Sequence, residues 1–172
     1  TESFTDGDYT NNPAWIGNSS DWIVNTSQQL QSNNTTANSS FFISTASTKA
    51  TVAQWEFFCR MEFNPSSTNY IDIYVVASAA DISLPSTTGY FVRLGGTDDE
   101  ISLYRKDNGT TVKIIDGANG VLNSSLNDIH IKLQRDAGNN WRLTRKINSS
   151  ATYNEGAAVD AVYQTSSFFG IL

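Results

Sequence analysis

Six side chains on three successive strand-like segments are the residues best suited to bind a ligand: Glu56, Phe58, Arg60, Asp72, Tyr74 and Arg93. Aromatic rings stack on the apolar C–H faces of sugars, and planar charged groups hydrogen-bond the hydroxyl groups around them. We therefore predict a polysaccharide site in which Phe58 and Tyr74 stack on the sugar while the other four side chains bind its hydroxyl groups. The alternative is ordinary cross-strand pairing on an exposed sheet face, with no ligand.

The sequence contains no complete catalytic motif. The Glu-x-Asp-x-x-Glu strand that sets two carboxylates on one face in retaining glycosidases does not occur. The segments Asp128-Ile129-His130 and Arg60-Met61-Glu62 partly match the strands of polysaccharide lyases, in which His or Tyr takes a proton beside a uronic carboxylate. That alternative requires a groove with His130 on one side and Tyr90 or Tyr104 on the other. We expect a protein without catalytic residues.

Two acidic segments offer oxygen ligands for a metal ion. Asp6 and Asp8 alternate with Gly7 in a loop rich in asparagine, and a hard cation such as calcium binds oxygen donors of this kind. The spacing departs from the helix–loop–helix calcium motif, so a solvated turn is the alternative. The segment Asp98-Asp99-Glu100 fits a hairpin turn better than a metal site. Apart from this calcium, we expect that no cofactor is required.

Period-two alternation of apolar and polar residues is the dominant pattern of the chain, and it predicts strands. These strands occupy residues 21–25, 40–45, 55–63, 70–77, 89–95, 100–106, 111–116, 128–135, 141–146 and 159–165. Glycine and asparagine lie between several of them and predict tight turns, as at Asp107-Asn108-Gly109. Trp141 alternates with Leu143 and belongs to the core, whereas Trp15 and Trp22 are either core residues or a second sugar platform.

Composition limits the class of protein further. The chain has 172 residues and a formal net charge of −6, so it lacks the basic footprint of a nucleic-acid-binding protein. No apolar run approaches the ~20 residues that span a membrane as a helix. The single cysteine, Cys59, excludes an internal disulfide. Few charges and many Ser, Thr and Asn residues suit an exported β-protein, so we expect residues 1–172 to be one domain of a longer extracellular or cell-surface protein.

Four segments resemble modules of known proteins. Gly-Tyr-Phe-Val-Arg-Leu-Gly-Gly at 89–96 and Asp-Glu-Ile-Ser-Leu-Tyr-Arg-Lys-Asp at 99–107 resemble the central strands of laminin-G-like, concanavalin A-like jelly rolls. Residues 63–70 and 165–171 resemble domains of large secreted or surface proteins of the Bacteroidetes. The resemblance implies an accessory domain for glycan binding or adhesion, with a structural calcium near the first strand. It also implies a closing strand of Phe-Asp-Asp-Ile type, which is not found before Leu172.

The sequence therefore predicts an all-β protein, an antiparallel two-sheet β-sandwich of the concanavalin A-like jelly-roll class. Its predicted function is that of a non-catalytic accessory module that binds a polysaccharide weakly on one sheet face. Its predicted partners are that polysaccharide and neighbouring domains of the parent protein, without nucleic acid or membrane insertion. The alternatives are a structural spacer or protein-docking module with no small ligand and, less favoured, a polysaccharide lyase or glycosidase.

Overall fold

The computed structural model describes residues 2–172, which form strands joined by turns and loops. A single 3-10 turn occupies Ser19–Asp21, and no helix within the described range is long and apolar enough to cross a membrane. Thirteen strands follow one another in residues 2–172: β1 (Trp15–Gly17), β2 (Trp22–Val24), β3 (Leu30–Ser32), β4 (Ile43–Ala46), β5 (Ala53–Met61), β6 (Tyr70–Ala77), β7 (Gly89–Gly95), β8 (Glu100–Asp107), β9 (Thr110–Ile115), β10 (Asn127–Arg135), β11 (Asn140–Ile147), β12 (Tyr153–Val159) and β13 (Phe168–Ile171).

The strands form two large antiparallel sheets and one hairpin. The seven-stranded sheet has the order β1-β4-β13-β6-β7-β8-β9, and the four-stranded sheet has the order β12-β11-β10-β5. Strands β2 and β3 pair with each other in a separate two-stranded sheet. Because every pair between neighbours is antiparallel, the predicted all-β, antiparallel sandwich is confirmed.

The core lies between the inner faces of the two large sheets. Trp141 is fully buried, stacks on Trp55 with ring centroids 5.8 Å apart, and contacts the Tyr90 ring at 4.6 Å. Alternate residues of β5 and β6 join this cluster, as the period-two pattern predicts. Each large apolar side chain buried here contributes about 1.5–3 kcal/mol to stability.

A separate apolar cluster fills the end of the sandwich near β1 and β4. Trp15 and Trp22 are each 7% exposed and pack there with the fully buried Ile43. Trp15 meets Phe169 edge-on at 6.0 Å, and Trp22 meets Phe41 at 5.4 Å. Trp15 and Trp22 are therefore core residues and do not form a second sugar platform.

The turn between β8 and β9 has the predicted form. Asp107 pairs directly with Thr110, so only Asn108 and Gly109 form the loop. Their φ angles are +48° and +88°, and both residue types tolerate this left-handed region. The right-handed twist of the flanking strands favours such a turn.

The predicted strand at 159–165 is wrong, because β12 ends at Val159 and β13 starts at Phe168. Asp160 begins the connection between them and uses its backbone for other bonds. Its carbonyl accepts hydrogen bonds from Trp141 Nε1 at 3.0 Å and from Arg135 Nη2 at 3.1 Å. A carbonyl bound to two side chains is not free to extend a strand ladder, so pairing stops at this point.

Candidate functional site

The six side chains predicted to bind sugar fall on two opposite surfaces of the sandwich. A single patch of all six would require β5 and β6 to be neighbours, and this requirement of the predicted site is not met, because β5 pairs with β10 in the four-stranded sheet while β6 pairs with β7 and β13. Both strands turn their apolar residues to the common core. Glu56, Phe58 and Arg60 therefore lie on the outer face of the four-stranded sheet. The other three residues lie on the outer face of the seven-stranded sheet: Asp72, Tyr74 and Arg93.

On the seven-stranded sheet, Arg93 and Asp72 form an ion pair between neighbouring strands. Arg93 Nε and Nη2 donate to the two carboxylate oxygens of Asp72, each at 2.7 Å. The Asp72 side chain is only 4% exposed and that of Arg93 is 22% exposed. Burial disfavours the charge of Arg93, but the hydrogen bonds and charge of Asp72 outweigh this effect and raise the pKa of Arg93. The guanidinium is thus charged and fixed in orientation.

Aromatic rings surround this guanidinium. The Arg93 Cζ atom lies 3.9 Å from the centre of the Tyr70 ring and 5.3 Å from that of Tyr104. The Phe91 and Tyr104 rings stack with centroids 5.3 Å apart and planes 7° from parallel. Tyr70 is 36% exposed and Tyr104 is half-buried. We call the outer surface formed by Tyr70, Asp72, Arg93 and Tyr104 the Arg93 face.

Tyr74 belongs to the same sheet face but does not present its ring to a ligand. It is 2% exposed and stacks on Phe91 at 4.9 Å. The loop of residues 78–88 covers it, because Ile82 packs in the same cluster and Lys106 Nζ donates to the carbonyls of Ile82 and Leu84 at 3.1 and 2.8 Å. The predicted stacking role of Tyr74 therefore does not fit its burial, and Tyr70 and Tyr104 are the accessible rings.

Next to the Arg93 face, β8 and β9 place a lysine among carboxylates. Lys113 Nζ lies 2.7 Å from Glu100 Oε1, 2.6 Å from Asp116 Oδ1 and 3.9 Å from Asp98 Oδ2. Burial lowers the pKa of Lys113, but the hydrogen bonds that it donates to Asp116 and Glu100 raise the pKa by more, so the net shift is upward. Glu100 also accepts from Ser102 Oγ at 2.7 Å, while its Oε2 atom is buried without a donor among residues 2–172.

The outer surface of the four-stranded sheet carries cross-strand pairs. Phe58 lies opposite His130, with ring centroids 4.9 Å apart, and Phe58 is 45% exposed. Arg60 Nε donates to Asp128 Oδ1 at 2.9 Å. In the next pair, Lys132 Nζ lies 3.7 Å from Glu56 Oε1. We call this surface the Phe58 face; its aromatic pair lies between two ion pairs.

The arrangement expected of a lyase is not formed by the described residues. His130 is exposed on the Phe58 face, whereas Tyr90 is fully buried between the sheets and Tyr104 lies on the opposite surface. The tyrosine hydroxyl groups and the imidazole therefore do not face each other across a groove. Tyr90 instead donates a short hydrogen bond to Asp160.

The acidic loop near the start of the chain is closed by its own hydrogen bonds. Asp8 Oδ1 accepts from the backbone N–H and the hydroxyl of Thr10, both at 2.7 Å, and Asp8 Oδ2 accepts from Asn11 Nδ2 at 2.8 Å. The bonds from Thr10 and Asn11 lower the pKa of Asp8 to about 2. Asp6 Oδ1 accepts from Asp8 N at 3.1 Å. Residues 2–172 contain no cluster of three or more His, Cys, Asp or Glu suited to a metal, and calcium binding stays a prediction.

Sequence reasoning missed several side chains around the Arg93 face: Tyr70, Glu100, Tyr104 and Lys113. The sequence does indicate the positions of Glu100 and Tyr104, because both are even-numbered residues of β8, like Ser102, and alternate residues of a strand lie on one face. The position of Lys113 was not readable in this way, since a register irregularity separates Leu103 from Tyr104 in the β8–β9 pair.

The sequence matches no protein-family model, and no curated protein matches it. The fold is similar to that of a solved structure described as carbohydrate binding module CBM66 from Bacillus subtilis. The two structures superpose with a TM-score of 0.64 at 13% sequence identity, and the likeness covers 94% of this chain and 89% of that chain. At this identity, the similarity establishes the β-sandwich fold alone.

Proposed function

We propose that the protein is a non-catalytic module that binds a polysaccharide on the Arg93 face. The observation that carries the proposal is the fixed guanidinium of Arg93, which lies at the surface beside two accessible tyrosine rings. Two of its N–H groups are used by Asp72, and the others remain available for oxygen acceptors. A rigid donor next to aromatic rings matches what a sugar ring requires.

The energetic cost of this arrangement supports a binding role. An ion pair with a nearly buried carboxylate on the outside of a sheet stabilises a protein little, because both groups lose water. Nearby, Glu100 Oε2 has no donor among residues 2–172, although buried polar atoms usually have one. Pre-oriented and incompletely satisfied polar groups are typical of ligand sites.

The charge around this surface favours an uncharged sugar chain. Arg93 is neutralised by Asp72, and Lys113 lies among three carboxylates. Hydroxyl groups, which both donate and accept, suit a surface that offers carboxylates, a guanidinium and tyrosine hydroxyls together.

The wider context is part of the proposal. The β-sandwich shared with a carbohydrate binding module of Bacillus subtilis supports a binding function of this class. The low charge content of 16% and the many Ser, Thr and Asn residues support export to the cell surface or beyond. We place the module next to other domains of a larger protein, with bacterial, laminin-G-like relatives as the resemblance implies.

Affinity electrophoresis against neutral polysaccharides, each run with calcium and with a chelator, tests the proposal. We expect retardation by at least one glycan, and a loss of about tenfold in affinity for Tyr70→Ala and Arg93→Lys, since one lost hydrogen bond or stacking contact is worth about 1–2 kcal/mol. Tyr153→Ala is the matched control, because Tyr153 is 52% exposed on β12 in the other sheet. Binding that is lost in the presence of chelator would indicate a requirement for calcium, for which Asp6 and Asp8 are the predicted ligands.

The alternatives give different results in the same experiment. Retardation by no neutral glycan would overturn the proposed site and favour a spacer or docking module. Cleavage of a retarded polysaccharide into shorter chains would contradict the non-catalytic assignment. Equal weakening by the Tyr70 and Tyr153 variants would show that the ligand does not contact the Arg93 face.

A further inference from the structure

Basic side chains without a partner are concentrated on one strand of this acidic protein. Among residues 2–172, most arginines and lysines form an ion pair or bind backbone carbonyls. Within that range the three that do neither are Lys49, Arg142 and Lys146. Arg142 and Lys146 are both exposed on β11, four residues apart.

These two side chains lie on the Phe58 face, because β11 turns alternate residues outward. Trp141, Leu143 and Arg145 are buried, while Arg142 and Lys146 are exposed. Their separation along the strand is about 13 Å. In the adjacent strand β10, Lys132 pairs with Thr144 and therefore lies between them. We call Arg142, Lys132 and Lys146 the basic row; within residues 2–172 Arg142 and Lys146 have no acidic partner, whereas Lys132 Nζ lies 3.7 Å from Glu56 Oε1.

A shallow open depression of about 470 Å³ adjoins the basic row. Phe58, His130, Lys132 and Lys146 are among its lining residues, as is the acidic Glu56, whereas Arg142 lines the neighbouring depression. Phe58 is 45% exposed on the outer face of this sheet. One side of its ring contacts His130, so the remaining exposed part faces the depression.

We propose that the Phe58 face is a second binding site, for an acidic polysaccharide. The basic row would bind carboxylate or sulfate groups, and the exposed Phe58 ring would contact the apolar face of a sugar between them. A row of separated cations on an open surface suits a chain with repeated charges. The site is distinct from the Arg93 face, which lies on the opposite sheet and favours an uncharged ligand.

Matched polysaccharides that differ only in charge provide the test. Dextran sulfate is compared with dextran, and polygalacturonate with its methyl ester, by affinity electrophoresis and by calorimetry. We expect binding of a charged member and not of its neutral counterpart, and weaker binding as the salt concentration rises. The two pairs separate sulfate from carboxylate as the group that is recognised.

Single substitutions then locate the site. Lys146→Gln and Arg142→Gln should each weaken binding about threefold to tenfold, because each removes one contact between opposite charges. Lys49→Gln is the control, since Lys49 is also exposed and unpartnered within residues 2–172 and the change in net charge is the same. Phe58→Ala should weaken binding by a similar factor without any change of charge. Thermal unfolding of every variant checks that the fold is retained.

Two results would overturn this second site. If Lys49→Gln weakens binding as much as Lys146→Gln, the protein acts as a general ion exchanger. If Phe58→Ala leaves binding unchanged, the Phe58 ring does not contact a sugar, and the Phe58 face is not a polysaccharide site. Neither result affects the Arg93 face, whose test uses neutral glycans and the Tyr70 variant, so the two proposals fail separately.

Discussion

Arg93 and Asp72 face each other directly across strands β7 and β6, and two hydrogen bonds of 2.7 Å join them. The Asp72 carboxylate is almost entirely shielded from water, whereas the guanidinium reaches the surface between two tyrosine rings. Asp72 therefore fixes the orientation of the guanidinium, and Arg93 places that guanidinium at the surface. This relationship makes the stability of the sheet and the geometry of the proposed sugar site depend on the same two side chains.

Removal of both partners should destabilise the protein by less than the sum of the two single removals. Arg93→Ala leaves the Asp72 carboxylate buried without its counter-ion, and we expect a loss of about 3 kcal/mol in the free energy of unfolding. The double variant Asp72→Ala, Arg93→Ala should lose less than the sum of the single variants, because no unpaired charge remains. Urea unfolding of the three variants measures the difference. Strict additivity would contradict the coupling.

Sequence pattern predicted which face each side chain takes but not which strands are neighbours. The alternation in β5 correctly separates Trp55 and Met61 from Glu56 and Phe58. The strand that follows in the chain, β6, crosses to the other sheet, and β10 takes the place beside β5. Alternation is a local property, whereas pairing between β5 and β10 depends on packing across the whole core. The predicted six-residue patch was divided for this reason.

The alternation of polar and apolar residues also did not predict the buried polar contacts. Arg135 breaks the polar and apolar alternation of β10, because it is a charged residue at an inward position, where Ile131 and Leu133 precede it, and it is 2% exposed. Its partners are carbonyls of Ala50, Tyr163 and Asp160, which belong to distant loops. A single sequence gives no sign of such contacts, because backbone carbonyls are the same in every residue.

Arg135 should be essential to the fold although it forms no ion pair within residues 2–172. Its Nη1 donates to Ala50 O at 2.9 Å and to Tyr163 O at 2.7 Å, and its guanidinium lies 4.7 Å from the Trp141 ring centre. Arg135→Met leaves these carbonyls without donors, so we expect a loss of about 3 kcal/mol. Arg142→Met, at an exposed position of the same sheet, should change stability by less than about 0.5 kcal/mol. Chemical denaturation compares the two variants, and equal effects would contradict the assignment.

The Cys59 thiol should react slowly in the native protein. Cys59 lies on the inner side of β5, and burial raises its pKa to about 12. Only the thiolate is a good nucleophile, so at about pH 8 a thiol reagent should label the folded protein far more slowly than the urea-unfolded protein. Labelling followed by mass spectrometry measures both rates. Equal rates would mean that the edge of β5 opens readily.

Stability should fall in alkaline solution through Tyr90. Burial, together with the hydrogen bond to Asp160, raises the pKa of Tyr90 to about 12, compared with about 10 in the unfolded chain. Between these two values the folded state keeps the proton that the unfolded state loses, so the stabilising effect is complete below about pH 10 and is lost as the pH rises through about 12. We expect this effect to be on the order of 1–2 kcal/mol.

The variant Tyr90→Phe isolates this titration from those of other groups. It should be less stable than the parent protein at about pH 8, because the hydrogen bond to Asp160 is lost, and the difference should shrink by about pH 11.5 as the parent loses its own stabilisation. Tyr153→Phe is the control, since Tyr153 is 52% exposed and should show no such trend. Urea unfolding across this pH range gives the free energies. A difference between the parent and Tyr90→Phe that stays constant with pH would contradict the role of Tyr90, because a tyrosine that titrates normally in the folded state contributes no such pH dependence.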